Sequence, residues 1–414
     1  MMNILILLIS IAVFLLVLLS LVTVLLYAKA KLIPQGDVQL TINEKKTLTV
    51  APGGTLLSTL GEHKIFLPSA CGGGATCGQC KCRILTGGGD ILPTETGFFT
   101  RKQQQTGWRL ACQAKVKDTM HIAIPEDILG VRKWPCEVIS NRNVSTFIKE
   151  FKVKLPDGEH LPFKSGGYIQ IDIPPYEVDF KDIDVEPAFR EDWDTMRIWA
   201  LKMKNATPTS RAYSMANYPA EDTTIMLNVR IATPPWDKAK GAFTPVDPGV
   251  GSSYLFSRKP GDTVMIAGPY GEFFLRDTDR EMIFIGGGAG MAPMHSHILY
   301  LFHTLHTTRK VSFWYGARSR RELFYEDEFR ALERQYPNFQ FLIALSEPKP
   351  GDGWEGPVGF IHQVIYDGYL QHHEAPEDIE YYLCGPPLMT AAAIHMLDQL
   401  GVPKEMILFD DFGA

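Results

Sequence analysis

Cys71-Gly72-Gly73-Gly74-Ala75-Thr76-Cys77-Gly78-Gln79-Cys80 is the stretch on which the reading of this chain turns, and Leu110-Ala111-Cys112-Gln113 downstream completes a set of four thiols. Thiolates are soft ligands, and four of them suit either zinc or an iron–sulfur cluster. Zinc ribbons prefer two matched C-x-x-C knuckles, and here only Cys77 and Cys80 form one. The small residues between the cysteines let a loop wrap closely and aim backbone N–H groups at sulfur. Cys71, Cys77, Cys80 and Cys112 are the candidate metal ligands. Cys82, two past Cys80, is predicted to point into the core as a buried free thiol. The chain holds 7 cysteines, the others being Cys136 and Cys384. An odd count bunched in one window argues against a disulfide framework and for a metal site in a reducing compartment.

Upstream, Asn3 to Leu26 carries no charged side chain. At roughly 1.5 Å per residue this exceeds a hydrocarbon core of about 30 Å. A cleaved signal peptide would show a charged start and a shorter apolar region; no Lys or Arg precedes this one. Lys29 and Lys31 follow at once, so the positive-inside rule predicts a single-pass transmembrane anchor over 1–33, with the remaining chain cytoplasmic. From 34 to 130 the chain reads as short β segments. Val38–Ile42 and Thr47–Val50 form a hairpin signal, and a short helix is expected from Thr55 to Leu60. From 131 to 275, strand-like segments with Pro and Gly turns predict an antiparallel β-barrel. An acidic stretch from Tyr176 to Asp194 interrupts it as an insertion, either solvated surface or a docking surface. From 276 to 414, the apolar runs Met282–Ile285, Val311–Tyr315, Phe341–Leu345 and Tyr381–Leu383 alternate with helical segments, as in a doubly wound parallel α/β domain.

The 45% hydrophobic and 21% charged fractions are those of globular domains. A net charge of −6 with no basic stripe excludes a nucleic-acid binder. The cysteine stretch resembles the ferredoxin domain of plant-type [2Fe–2S] proteins, a β-grasp fold, with one residue more in its first spacing than their C-x4-C. Arg211-Ala212-Tyr213-Ser214 resembles the Arg-x-Tyr-Ser motif of the ferredoxin–NADP reductase superfamily. That resemblance implies FAD, with Arg211 on a flavin phosphate, Tyr213 against the isoalloxazine and Ser214 catalytic near N5. Gly249 to Leu255, with Gly251, Ser252 and Ser253, resembles the second phosphate-binding turn of the same superfamily. Gly286-Gly287-Gly288-Ala289-Gly290 after an apolar run, matched by Cys384-Gly385-Pro386 near the C-terminus, resembles its nicotinamide domain. The glycine turn would approach the pyrophosphate, and Cys384 would sit beside the nicotinamide in a catalytic position.

Where NADPH-using members carry Ser-Arg, this chain has Ser346-Glu347. A carboxylate accepts from ribose hydroxyls and repels a phosphate, so NADH is the expected coenzyme. Arg318, Arg320 and Arg321 argue the other way. Phe412 is a candidate gate over the flavin face.

The domain order, the cysteine spacing, the acidic insertion and the Phe-Gly-Ala ending together resemble the family of F subunits of Na⁺-translocating NADH:quinone oxidoreductases. This implies a bacterial inner-membrane protein that oxidises NADH and feeds other membrane subunits, and through them ubiquinone reduction and sodium transport. Two other readings stand beside it: the reductase component of an oxygenase system, and a non-catalytic tethered electron carrier.

Overall fold

A computed structural model describes residues 2–32, 36–237 and 239–412. The chain forms two compact units, Met1–Gly130 and Val131–Ala414.

The first unit begins with helix α1 (Met2–Leu32). Its side chains from 9 to 25 are exposed, Leu16, Leu19 and Phe14 among them. Among the described residues no helix is long and apolar enough to cross a membrane. The expected anchor over 1–33 is met as a helix, and a crossing is not shown; its Met1 and Ile33 lie outside the described residues. β1 (Val38–Ile42) and β2 (Lys46–Val50) form the expected hairpin, with Val38 opposite Val50. α2 (Leu56–Glu62) starts on Thr55, whose Oγ1 accepts from Ser58 N at 3.1 Å. This satisfies a donor that a helix start otherwise leaves open. β3 (Lys81–Thr86), α3 (Arg101–Gln105), β4 (Trp108–Leu110) and β5 (Met120–Ala123) follow. The sheet order is β2-β1-β5-β3-β4. β1 runs parallel to β5 and the other neighbours are antiparallel, the mixed sheet of a β-grasp. Alternation along β3 buries Cys82 and Ile84 and exposes Lys81 and Arg83.

The second unit contains two sheets that build the site. One comprises β6 (Arg132–Ser145), β7 (Ile148–Lys154), β8 (Tyr168–Ile173), β11 (Thr209–Ser214), β12 (Thr224–Arg230) and β15 (Thr263–Tyr270). Between β8 and β11, the acidic insertion folds as a hairpin, β9 (Tyr176–Asp179) with β10 (Lys202–Asn205), around helix α4 (Pro187–Thr195). A short hairpin, β13 (Trp236–Asp237) with β14 (Ala242–Phe243), and helix α5 (Val250–Ser257) precede β15. The strand order β11-β8-β15-β6-β7-β12 is antiparallel throughout. A bridge from Met215 to Leu227 joins its two edges into a barrel.

The second sheet is parallel, in the order β18-β17-β16-β19-β20. Its elements are β16 (Met282–Gly287), α6 (Met291–Leu299), β17 (Val311–Ala317), α7 (Glu326–Gln335), β18 (Phe339–Leu345), α8 (Ile361–Gly368), β19 (Glu380–Cys384), α9 (Pro387–Gln399) and β20 (Ile407–Asp410). β16 and β19 are buried on both faces, which is why they read as unbroken apolar runs. The strand order reverses between them, and ligands bind at such a switch point, outside the carboxyl ends of the strands.

Candidate functional site

In the first unit the loop between α2 and β3 brings Cys71, Cys77 and Cys80 together with Cys112, which follows β4, and the four expected thiols stand in pairs. Cys71 and Cys77 stand with Sγ atoms 3.3 Å apart. Cys80 and Cys112 are hydrogen-bonded to each other, which raises the Cys80 thiol and lowers that of Cys112. Burial works to raise Cys71, but backbone N–H groups of Thr76 and Cys77 outweigh it and hold the thiol at about 6. Among the described residues no three His, Cys, Asp or Glu converge on one point as a single ion requires. Two pairs of thiols fit a two-iron cluster, each iron taking two, better than a tetrahedral zinc. Cys82 faces the other way. Its Sγ lies 3.7 Å from Arg109 O, and burial pushes its thiol up to about 12. The loop is braced from below by a buried ion pair, Arg109 Nη2 to Glu95 Oε2 at 2.7 Å. Glu95 also accepts from Leu110 N at 2.7 Å, and Arg109 donates to the carbonyls of Gly88 and Gly89.

In the second unit one cavity of about 1040 Å³ joins the barrel to the parallel sheet. Arg211, Tyr213 and Ser214 of β11 line it beside Gly251 and Ser252 at the start of α5. The two elements touch: a Cβ at Gly251 would fall 2.6 Å from Tyr213 Oη and 2.9 Å from Arg211 Cγ. Glycine at this point lets the helix start, with its open N–H groups, lie against the arginine. The Arg211 guanidinium is steadied by Thr209 Oγ1 at 3.0 Å and Ser210 O at 2.8 Å. Across the cavity lie Gly287 at the end of β16, Gly288 and Gly290 after it, Gly385 after β19, and Phe412. A Cβ at Gly290 would fall 2.1 Å from Cys384 O, so the two turns meet only because that residue is glycine.

Four expected residues stand off the lining. Gly286 is within β16, Ser253 is buried in α5, and Glu347 is exposed beyond Ser346, which does line the cavity. The Cys384 thiol is fully buried in the apolar core, which holds it protonated; its neighbour Gly385 faces the cavity. Arg318, one of the three arginines that argue for a phosphate, is part of the lining. Among the lining residues that escaped the sequence reading are Asn228, Arg230, Glu322 and His362. Asp410 escaped it too; its Oδ2 accepts a 2.8 Å hydrogen bond from Ser214 Oγ. Burial pushes the Asp410 carboxyl up, against the donation from Ser214. Asn228 ties the lining to α7, donating to Tyr325 Oη at 2.9 Å, which donates to the buried Glu150 at 2.7 Å. The Gly413-Ala414 ending lies outside the described residues.

Residues 40–117 match the 2Fe-2S iron-sulfur cluster binding domain family. Residues 198–275 match the oxidoreductase FAD-binding domain, and 284–395 the oxidoreductase NAD-binding domain. The cytochrome P450 reductase of Amycolatopsis shares the fold, with a TM-score of 0.63 at 21% identity over 91% of this chain and 98% of that one. A relative from Pseudomonas paraeruginosa, the F subunit of the Na(+)-translocating NADH-quinone reductase, is 53% identical over 405 residues, 98% of each chain. The corresponding protein of Methylococcus capsulatus is 54% identical over 395 residues, 95% of this chain and 96% of its own. The chain carries an iron–sulfur, a flavin and a nicotinamide domain, and it belongs to the family of F subunits of the Na(+)-translocating NADH-quinone reductase.

Proposed function

We propose that this chain is the electron-entry subunit of a sodium-pumping NADH:quinone oxidoreductase of the bacterial inner membrane, held there by α1. The observation that carries the reading is the cavity in which the Arg211–Ser214 strand and the start of α5 face the turns after β16 and β19. When bound, FAD accepts both electrons of a hydride and the [2Fe–2S] cluster accepts electrons singly, which is why a flavin stands between nicotinamide and cluster.

The chain's own residues position those groups. Arg211 and the N–H groups opening α5, with Gly251 and Ser252, would hold the flavin phosphates, Ser253 being buried behind them in α5. Tyr213 would cover the ring, and the Ser214 hydroxyl would stand beside its reacting edge. The turn from Gly286 to Gly290 admits the NADH pyrophosphate. Gly385 would border the nicotinamide with the Cys384 thiol buried behind it, Phe412 would close the flavin face, and Glu347 stands beyond the lining Ser346, outward of the cavity. Cys71, Cys77, Cys80 and Cys112 ligate the cluster. The working division is 1–33 anchor, 34–130 ferredoxin, 131–275 flavin and 276–414 nicotinamide domain. Sodium transport belongs to the partner subunits, since one helix whose apolar stretch from Asn3 to Leu26 carries no charge forms no ion path.

α1 supports the membrane reading because an exposed run that includes Phe14, Leu16 and Leu19 needs lipid or partner helices to cover it. A tether would keep the cluster near its acceptor at an effective concentration on the order of millimolar. An oxygenase-system reductase shares the fold but has no use for that helix. Membranes depleted of the native protein provide the test. The chain lacking residues 1–33 should still reduce a small acceptor with NADH, yet fail to restore quinone reduction at stoichiometric amounts. Full restoration by the truncated chain would return the oxygenase reading.

A further inference from the structure

The far end of the cavity must choose between two coenzymes that differ by one phosphate. In a doubly wound sheet the adenosine ribose lies beside the glycine turn, where a carboxylate accepts from its 2′-hydroxyl or an arginine takes a 2′-phosphate. Arg318, Arg320 and Arg321 follow β17 here, a concentration of charge suited to phosphate. Each already has a partner. Arg318 pairs with Glu322 and lies over the Phe147 ring, 5.8 Å from its centroid. Arg320 Nη1 donates to Asp352 O at 3.1 Å. Arg321 Nη1 stands 3.0 Å from Asp192 Oδ2, and its Nη2 3.7 Å from Glu191 Oε2.

Asp192 and Glu191 belong to α4 of the acidic insertion, which is carried by the barrel. The helix is pinned there by Trp193, fully buried, whose Nε1 donates to Thr146 O at 2.8 Å. Thr146 Oγ1 donates to Asp192 Oδ2 at 2.9 Å. Asp192 Oδ1 lies 3.8 Å from Lys349 Nζ, on the turn that follows Ser346 and Glu347. The Asp192 side chain is only 19% exposed, so its ion pairs are less screened than surface pairs. Other acids of the insertion are engaged nearer home: Glu177 with Lys204, Asp179 with Lys202, Asp184 with Lys259. The insertion therefore offers a partner less free charge than its sequence suggests, and it commits Asp192 to cations of the neighbouring domain.

We propose that the insertion sets coenzyme choice by sequestration: Asp192 holds Arg321 and Lys349 away from a 2′-phosphate, as Glu322 does for Arg318. Of these cations Arg318 lines the cavity, while Arg321 and Lys349 stand off the lining, next to Glu322 and three positions past Ser346, and are held on Asp192. A 2′-phosphate reaching this end must break an ion pair and meet the carboxylate left behind. The proposal rests on the assignment of the NADH site above.

The test is Asp192→Asn in the full-length, FAD- and cluster-loaded protein. Asparagine keeps an oxygen for the Thr146 hydroxyl and removes the charge. Two readouts apply: kcat/KM for NADPH and NADH with a small artificial acceptor, and competition against NADH by adenosine 2′,5′-bisphosphate and by adenosine 5′-monophosphate. The expected result is a rise of roughly tenfold in kcat/KM for NADPH, the worth of one charge-assisted contact. The rise should lie in KM, with NADH use within about twofold of wild type. The bisphosphate, not the monophosphate, should compete more strongly, and Arg321→Ala added to Asp192→Asn should abolish the gain. If the monophosphate competes normally while the bisphosphate gains nothing, sequestration is wrong and the site stands. If neither nucleotide competes with NADH in the wild type, the site assignment itself is wrong.

Discussion

Ser214 does not carry its hydroxyl alone. Asp410 accepts from the hydroxyl at 2.8 Å, which holds the Ser214 side chain in place at the cavity wall. Asp410→Ala should therefore lower kcat for NADH oxidation by roughly ten- to a hundredfold with little change in KM, as for an interaction felt mainly at the reacting centre. The carboxyl is raised above its ordinary range, chiefly by burial. As pH falls through that raised value it protonates and its hold on the hydroxyl weakens. The wild-type rate should fall on the acid side earlier than an ordinary aspartate would dictate, and Asp410→Asn should remove that limb. Steady-state kinetics across pH read both effects; an unchanged kcat in the alanine variant would detach Asp410 from the reaction. Ser214 was legible in the sequence because its motif is contiguous. Asp410 was not, because it is 196 positions away and an acidic pair near a chain end carries no spacing signal. Cys82 was legible only as a thiol of a type commonly buried; β3, which turns it inward with Ile84, shows which way it faces.

Elements were legible where one period dominates. The hairpin of β1 and β2 alternates, and the strands of the parallel sheet are unbroken apolar runs bounded by glycine. The insertion was less legible, because its charges suggest a solvated segment while Trp193 roots it in the barrel core. Its second root is Lys149 of β7, whose Nζ is buried and donates to Asp184 O at 2.6 Å and Phe256 O at 3.3 Å. Burial lowers this ammonium from 10.5 to about 8, against the pull of Glu186 and Asp184 and with the push of Lys259. Between those two values the unfolded chain binds the extra proton, so stability rises with pH there. The shift corresponds to roughly 3 kcal/mol. Denaturation of the second unit followed from pH 7 to 10.5 should show that rise in the wild type, and Lys149→Met should flatten it. A wild-type profile that falls throughout would contradict the burial argument.

At the scale of the whole molecule, three redox domains follow one apolar helix, and their order gives the direction of electron flow its logic. The nicotinamide end delivers electrons in pairs, the thiol loop passes them singly, and the flavin cavity lies between them in the sequence of events. Two pairs of thiols with Cys82 turned away, and one cavity shared by β11, α5 and the two glycine turns, are the arrangement that relay needs. The most direct test is anaerobic rapid mixing of the loaded full-length protein with one equivalent of NADH. Flavin absorbance and the EPR signal of the reduced cluster are followed together. Flavin bleaching should come first and the cluster signal should grow from it; Cys112→Ala should keep the first phase and lose the second, while Cys82→Ala keeps both. A cluster signal that appears without prior flavin bleaching, or that survives in Cys112→Ala and vanishes in Cys82→Ala, would contradict the account.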